Sequence, residues 1–358
     1  MTAITCDTSA LMRLNHWLLL AGIGTTALSH VAFPQVLETR RLPERADGSV
    51  QLDLTEVFRV GSLNGEHDSF GRVMSAALSP SGRLYIADDQ QHRVIVFDPR
   101  GRFLRHLGRH GSGPGEFQQP WLVAVDRFDS VYVWDAAQAR VSVFGPDLQY
   151  RRSFRVPAQW AVNSMAFPAT GEIVVAAMGG ADDTGVQVLA RDGTVRRSFH
   201  PINRDVSLAG FETSLLGGTL DIDGQHLVYS RKSPFELSFY RDGVPVSRCR
   251  GADALTTRPQ DAIAVVPGQG AALHWNRYIH SASVVLIDSA LALNVIMDPT
   301  RDTRIVDLVT PQCRLVRRTV LATPVTIVDR VGTQVVAVSN VEYPEVIVYS
   351  LKVTRNRE

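Results

Sequence analysis

An internal repeat constrains this chain more than any other feature. Residues 82–108 read GRLYIADDQQHRVIVFDPRGRFLRHLG, and 47 residues later residues 129–155 read DSVYVWDAAQARVSVFGPDLQYRRSFR. The offset superposes Tyr85 on Tyr132, Asp88 on Asp135, Arg93 on Arg140, Val94 on Val141, Phe97 on Phe144 and Pro99 on Pro146. Within each unit, runs rich in Val, Tyr and Phe alternate with short clusters of Gly, Asp, Pro and Ser, the pattern of successive antiparallel strands. With VMSAALSPSG and PWLVAVDRFD ahead of them, both units become four-stranded meanders. Weaker copies begin at Gly171 and Gly224, each with an Asp-Gly pair (Asp192-Gly193, Asp242-Gly243) where a tight hairpin needs left-handed backbone. A fifth unit follows from SASVVLID, LNVIMDPT, RIVDLVT and CRLVRRTVL. A sixth has only three strands, PVTIVDR, TQVVAVSN and PEVIVYSLKV, while LDLTEVFRVG, residues 52–61, is left over before the first unit. Four strands per unit at a period in the forties predict an all-β, six-bladed β-propeller, its ring closed by the N-terminal strand completing the last blade.

The predicted organisation is a leader over 1–29, a linker over 30–50, the propeller over 51–354 with an insertion at 252–283 between blades 4 and 5, and a tail at 355–358. The leader reading rests on Arg13, the apolar stretch from Trp17 to Leu28 and the small-x-small site Ala27-Leu28-Ser29; an apolar helix packed on the domain is the alternative. Export to the periplasm or beyond is the expectation, with no membrane span once the leader is removed. Cys6 lies in the leader; Cys249 and Cys313 either pair in an oxidising compartment or stay as two buried thiols. A net charge of +1 offers no global field for nucleic acid. The arginines recur in the last strand of each unit (GRFLRHLG, YRRSFRV, TVRRSFH, VSRCR, RLVRRTV), where charge protects an unpaired sheet edge, so no nucleic-acid partner is expected.

The connector GSGPGEFQQP, with LYIADDQQHRVIVFD and VYVWDAAQARVSVF, resembles NHL-repeat propellers and the wider class of six-bladed propellers among exported bacterial proteins. The resemblance is strong over residues 60–155 and extends to about residue 250, although the third and fourth units lack the motif's Asp and Arg. Enzymes of this shape include lactone hydrolases of the gluconolactonase and regucalcin type, an amidating lyase and strictosidine-synthase-like proteins. The hydrolases imply an axial metal held by Glu, Asn and Asp; here Asn163 is the one Asn registered on an inner strand, Glu212 is off register and no matched Asp is found. The lyase implies a histidine set, of which His67 and His280 supply two members. Nucleophile elbows, P-loops and H-E-x-x-H motifs are absent.

Asp88 and Asp135, each five residues before Arg93 or Arg140, are expected to accept turn amides and pair with their own arginine, a structural role repeated with the repeat. The glycine-rich GRHGSGPGEFQQP, residues 108–120, is followed by a strand rather than a helix, so it is no phosphate cradle. It is the crossing from one blade's outer strand to the next blade's inner strand, with Phe117 set between blades. Ligand contacts are expected at the axial mouth, from His67, Asp68 and Arg72, from Gln119 and Trp121, from Trp160, Asn163 and Ser164, and from Thr213 and Ser214. The insertion adds His274, Trp275, Arg277, Tyr278 and His280, which read either as an aromatic lid or as a metal or catalytic cluster. The expected function is an interaction module for a protein, peptide or glycan, without a cofactor. The alternative is a hydrolase or lyase with an axial site, metal-assisted through His67, His274 or His280.

Overall fold

Two segments far apart in sequence lie side by side in the computed structural model: Val50–Val60 pairs antiparallel with Glu345–Arg355, Val50 opposite Arg355 and Val60 opposite Val346. The structure describes residues 37–156, 162–177, 184–202, 208, 215–233, 235–252, 255, 257–266, 270–274, 277–340 and 342–356. They contain six blades of four antiparallel strands, one of which carries a fifth, parallel strand at its edge, and a separate two-stranded hairpin. The sheets are blade 1 (73–107), blade 2 (120–155), blade 3 (162–201), blade 4 (218–250), blade 5 (280–320) and blade 6, built from 326–355 and closed by Val50–Val60. The proposed leader lies outside the described residues.

Why the middle strands read as unbroken apolar runs follows from where their two faces point. Side chains alternate across a strand, and in a blade both faces are covered by neighbouring blades. In the second strand of blade 1, Leu84 and Ile86 join the core shared with blade 6, while Tyr85 and Ala87 join the core shared with blade 2. The third strand divides the same way, Ile95 and Phe97 against Val94 and Val96. Six such cores hold the six seams. Polar residues dominate outer strands such as Tyr150–Arg155, where exposed and covered positions alternate.

Residues 37–50 are more than a linker. Thr39–Arg41 lies parallel on the outer strand of blade 4, Val244–Arg250, and Leu42 is buried in the core between blades 4 and 5. Asp47 then pairs with Arg314 at 2.8 Å and the Glu44 carbonyl accepts from Arg318 at 2.9 Å. An edge that would stay open is thereby satisfied, and an apolar side chain finds cover. At the same seam Cys249 and Cys313 form a disulfide with Cα atoms 5.3 Å apart. Closing a loop of 64 residues, it contributes about 4 kcal/mol in the chain-entropy account.

The insertion is shorter than the sequence suggests. His280–Asp288 is the innermost strand of blade 5, so residues 280–283 belong to the blade. Before them come a 3-10 turn, Pro259–Ala262, and a two-stranded hairpin, Ile263–Val266 with Gly270–Leu273. Ala262 and Tyr278 pack with Ile202, Leu208, Leu215 and Leu216 in a small separate core.

Candidate functional site

The six innermost strands surround an axial channel of about 310 Å³. Five of them carry a register shift near their first residues, at Val73/Ser75, Pro120/Leu122, Val162/Ser164, Ser281/Ser283 and Ile327/Asp329. Such bulges re-aim the side chain that follows. Most of those side chains are polar and bond to the neighbouring blade. Ser75 Oγ accepts the Val123 N–H at 2.8 Å, Ser164 Oγ accepts that of Leu220 at 2.8 Å, and Ser283 Oγ donates to the Ile327 carbonyl. Asp329 accepts the Leu78 N–H at 2.7 Å, and in blade 4, whose inner strand has no bulge, Asp221 accepts the Leu286 N–H at 2.7 Å. Five seams are pinned at the axis in this way. At the sixth, between blades 2 and 3, the equivalent residue is the apolar Leu122.

Asp221 and Asp329 are therefore carboxylates set in the channel wall. Burial pushes Asp221 up to about 7; the nearby Asp329 charge adds to the rise, while N–H donation from Leu286 and Ile222 opposes it. Burial likewise pushes Asp329 up to about 6 against the N–H groups of Leu78 and Arg330. Arg330 donates to the Gly332 carbonyl at 2.7 Å and stands 3.7 Å from Asp223. Asn163, Thr219 and Arg127 complete the polar lining, and the Thr219 hydroxyl has no hydrogen-bond partner among the described residues. Asp221, Asp329, Arg330 and Arg127 sit in the later halves of their strands or in the turn that follows. The charge of the channel thus gathers at the end formed by the first hairpin turns, away from the blade-to-blade connectors.

Most sequence-predicted contacts do not reach this channel. The connector into blade 1 is held by Asp88 and Asp89 and the connector into blade 2 by Asp135, which keeps their residues out of the lining. His67 stacks on Phe103 of blade 1's outer strand, with ring centroids 3.9 Å apart. Asp68 folds back onto Ser62 and Gly61, and Arg72 pairs with Asp89. Gln119 gives its N–H to Asp135, and Trp121 packs against the core of blades 2 and 3. In the insertion, His274 accepts the Arg277 N–H through its carbonyl and Arg277 is exposed. Tyr278 is fully buried, its hydroxyl donating to the Leu215 carbonyl at 2.6 Å. His280 is buried beside it, with Nδ1 2.7 Å from the Tyr278 carbonyl and a pKa that burial pushes down to about 4. Asn163 lines the channel and Ser164 pins a seam. Trp160, Thr213, Ser214 and Trp275 lie outside the described residues.

The repeated aspartates accept turn amides and also hold the incoming connector. Asp88 accepts from the N–H groups of Gly71, Arg72 and Gln91, and Asp135 from those of Gln118, Gln119 and Gln138. Their expected arginine partners turn elsewhere. Arg93 bonds Gln91 and His106, and Arg140 bonds the connector carbonyls of Ser112, Gly113 and Glu116, while the carboxylates are already filled by N–H groups. Phe117 is fully buried between blades 1 and 2, and a Cβ on Gly108 would meet its ring at 2.3 Å. The residues missed in the sequence, Asp221, Asp329 and Arg330, do leave a signal there: LDID and IVDR set charged residues among the apolar residues of an inner strand.

With this geometry in hand, residues 70–170 match the DUF5128 family model, described as a 6-bladed beta-propeller. The chain is a six-bladed β-propeller. No curated protein matches the sequence. Among solved structures, it is similar to a candidate exported protein of Bacteroides fragilis at 13% identity and TM-score 0.56, over 88% of this chain and 99% of that one. A DUF4221 family member from Bacteroides vulgatus aligns at 10% identity and TM-score 0.55, over 85% and 99%. The PQQ-bound aldose sugar dehydrogenase of Streptomyces coelicolor aligns at 11% identity and TM-score 0.52, over 86% and 100%. At these identities the likeness is one of fold. No helix among the described residues is long and apolar enough to cross a membrane.

Proposed function

We propose that the protein is an exported binding propeller that takes the polar end of a glycan or peptide into its axial channel. The supporting observation is the lining itself. Asp221 and Asp329 titrate near neutrality, so each serves as acceptor or as donor, and Asn163 and the unpartnered Thr219 hydroxyl stand beside them. Such a set suits hydroxyl and amide groups. The volume, about 310 Å³, holds on the order of ten waters, the scale of one sugar ring or a short peptide end. Export draws support from the leader-like N-terminus and from the likeness to a candidate exported protein.

The test is an array of glycans and peptides probed with the full chain, followed by a plugging variant. Ala282 lines the channel at a bulge, so Ala282→Trp is expected to abolish binding while Arg277→Ala, in the exposed insertion, leaves it intact. Binding that survives the plug places the ligand elsewhere and removes this reading. A second reading, acid/base catalysis in the same channel, draws on the two carboxyl groups raised toward neutrality. It predicts turnover of a lactone or glycoside with a pH profile breaking near 6 to 7, abolished by Asp221→Asn.

A further inference from the structure

Four of the chain's ten histidines, His67, His92, His106 and His110, gather at the connector end of blade 1. Two of them face each other. His92 sits in the turn between the second and third strands of that blade with φ +54°, and its Nδ1 lies 2.6 Å from the Gln118 carbonyl oxygen. A carbonyl oxygen has no proton to give, so Nδ1 carries the hydrogen and Nε2 keeps its lone pair. That is how coordinating imidazoles are commonly held, one ring N–H donated to a backbone carbonyl and the other nitrogen left to bind. The His110 ring is 4.4 Å away, tilted by 51°, and makes no hydrogen bond to the described residues.

Both rings stand on fixed backbone. His110 bridges to Phe117, whose N–H bonds the Arg109 carbonyl at 2.9 Å and whose carbonyl accepts from Gly111 at 3.0 Å. Arg140 ties the same connector through three carbonyls, and the buried Phe117 ring anchors it. His110 is exposed and His92 is partly so, which leaves the pair open to solutes. The other two histidines are engaged, His67 on Phe103 and His106 with Arg93 at 3.4 Å.

We propose that His92 and His110 form a binding site for a borderline divalent transition-metal ion, Zn²⁺, Ni²⁺ or Cu²⁺. The ligands are Nε2 of His92 and a ring nitrogen of His110, with water completing the coordination. Imidazole selects these ions over Ca²⁺ and Mg²⁺, which take oxygen ligands. Among the described residues no three His, Cys, Asp or Glu side chains gather as a metal site, so two positions or more stay open to water. The site is independent of the axial channel.

The test is calorimetric titration of the full chain, free of any polyhistidine tag, with Zn²⁺, alongside Cu²⁺ electron paramagnetic resonance. Saturable binding of one equivalent is expected. Either His92→Asn, which keeps tolerance for the left-handed backbone, or His110→Ala weakens it at least tenfold, while His67→Ala does not. The Cu²⁺ signal loses one coordinated nitrogen in each of the two variants. Absence of saturable binding, unchanged affinity in His110→Ala, or equal weakening by His67→Ala overturns the proposal. Should His92→Asn fail to fold by circular dichroism, His110→Ala, at an exposed connector position, decides alone.

Discussion

Two pairs of aspartates in this propeller share a residue type and differ in everything that determines its use. Asp88 and Asp135 end the second strands of blades 1 and 2, and each is filled by three backbone N–H groups from a turn and a connector. Asp221 and Asp329 stand at the axis with fewer donors and with each other's charge nearby, and burial carries them to about 7 and about 6. The first pair belongs to the repeat and recurs with it. The second pair breaks the repeat, since the serine used by three blades at the axis is replaced by a group that titrates. A carboxylate saturated by amides is architecture, whereas one left short of donors in a polar channel remains available for chemistry.

The contrast is broken most directly at Asp135. Asp135→Ala leaves three N–H groups without their acceptor inside the connector crossing, and is expected to cost about 3 kcal/mol or more, read as a fall in thermal midpoint. A loss below about 1 kcal/mol would show that water replaces the carboxylate and that the clamp is dispensable. The axial pair predicts a smaller effect with a distinctive pH dependence. Because the folded-state values of Asp221 and Asp329 lie above the ordinary 3.8, the folded chain holds protons that the unfolded chain has released. Stability from these groups is full below about pH 4 and is lost as pH rises through 6 and 7. Asp221→Asn is expected to flatten that decline between pH 5 and 8 in thermal melts; an unchanged slope would mean the side chain is better solvated than its surroundings suggest. The smallest effect concerns the seam with no polar pin. Leu122→Ser places a hydroxyl where Ser75 and Ser164 have theirs, within reach of the Met165 N–H, and is expected to be about 1 kcal/mol more stable than Leu122→Ala in denaturant titration. Equal stabilities would show that the pins contribute nothing net.

How much of this was legible in the sequence depends on whether a residue serves the repeat. Tyr85 and Tyr132, Asp88 and Asp135, and the pattern that places Val50–Val60 on the last blade are read from spacing, because each blade needs the same parts. The axial site escaped that reasoning. Bulges at the start of five inner strands shift the register by one, and a single shift exchanges the face that each side chain presents. His67 and Arg72 lie off the axis for another reason: a glycine-rich connector permits several paths, and local sequence does not choose among them. Arg93 and Arg140 stand opposite Asp88 and Asp135 in the ladder, yet Arg93 turns to Gln91 and His106 and Arg140 to the carbonyls of a connector, partners that spacing in the sequence does not reveal.

The pairing of Val50–Val60 with Glu345–Arg355 also bears on the order of events in synthesis. Blades 1 to 5 are built from neighbouring segments and can form as each emerges, but the last sheet waits for strands separated by almost the whole chain, the slowest kind of contact to find. Until then the early strand stays unpaired and the circle stays open. A product broken off before residue 345 lacks the partner of Val50–Val60 and cannot lock, so the ring itself distinguishes finished chains from fragments and exposes the latter to proteolysis.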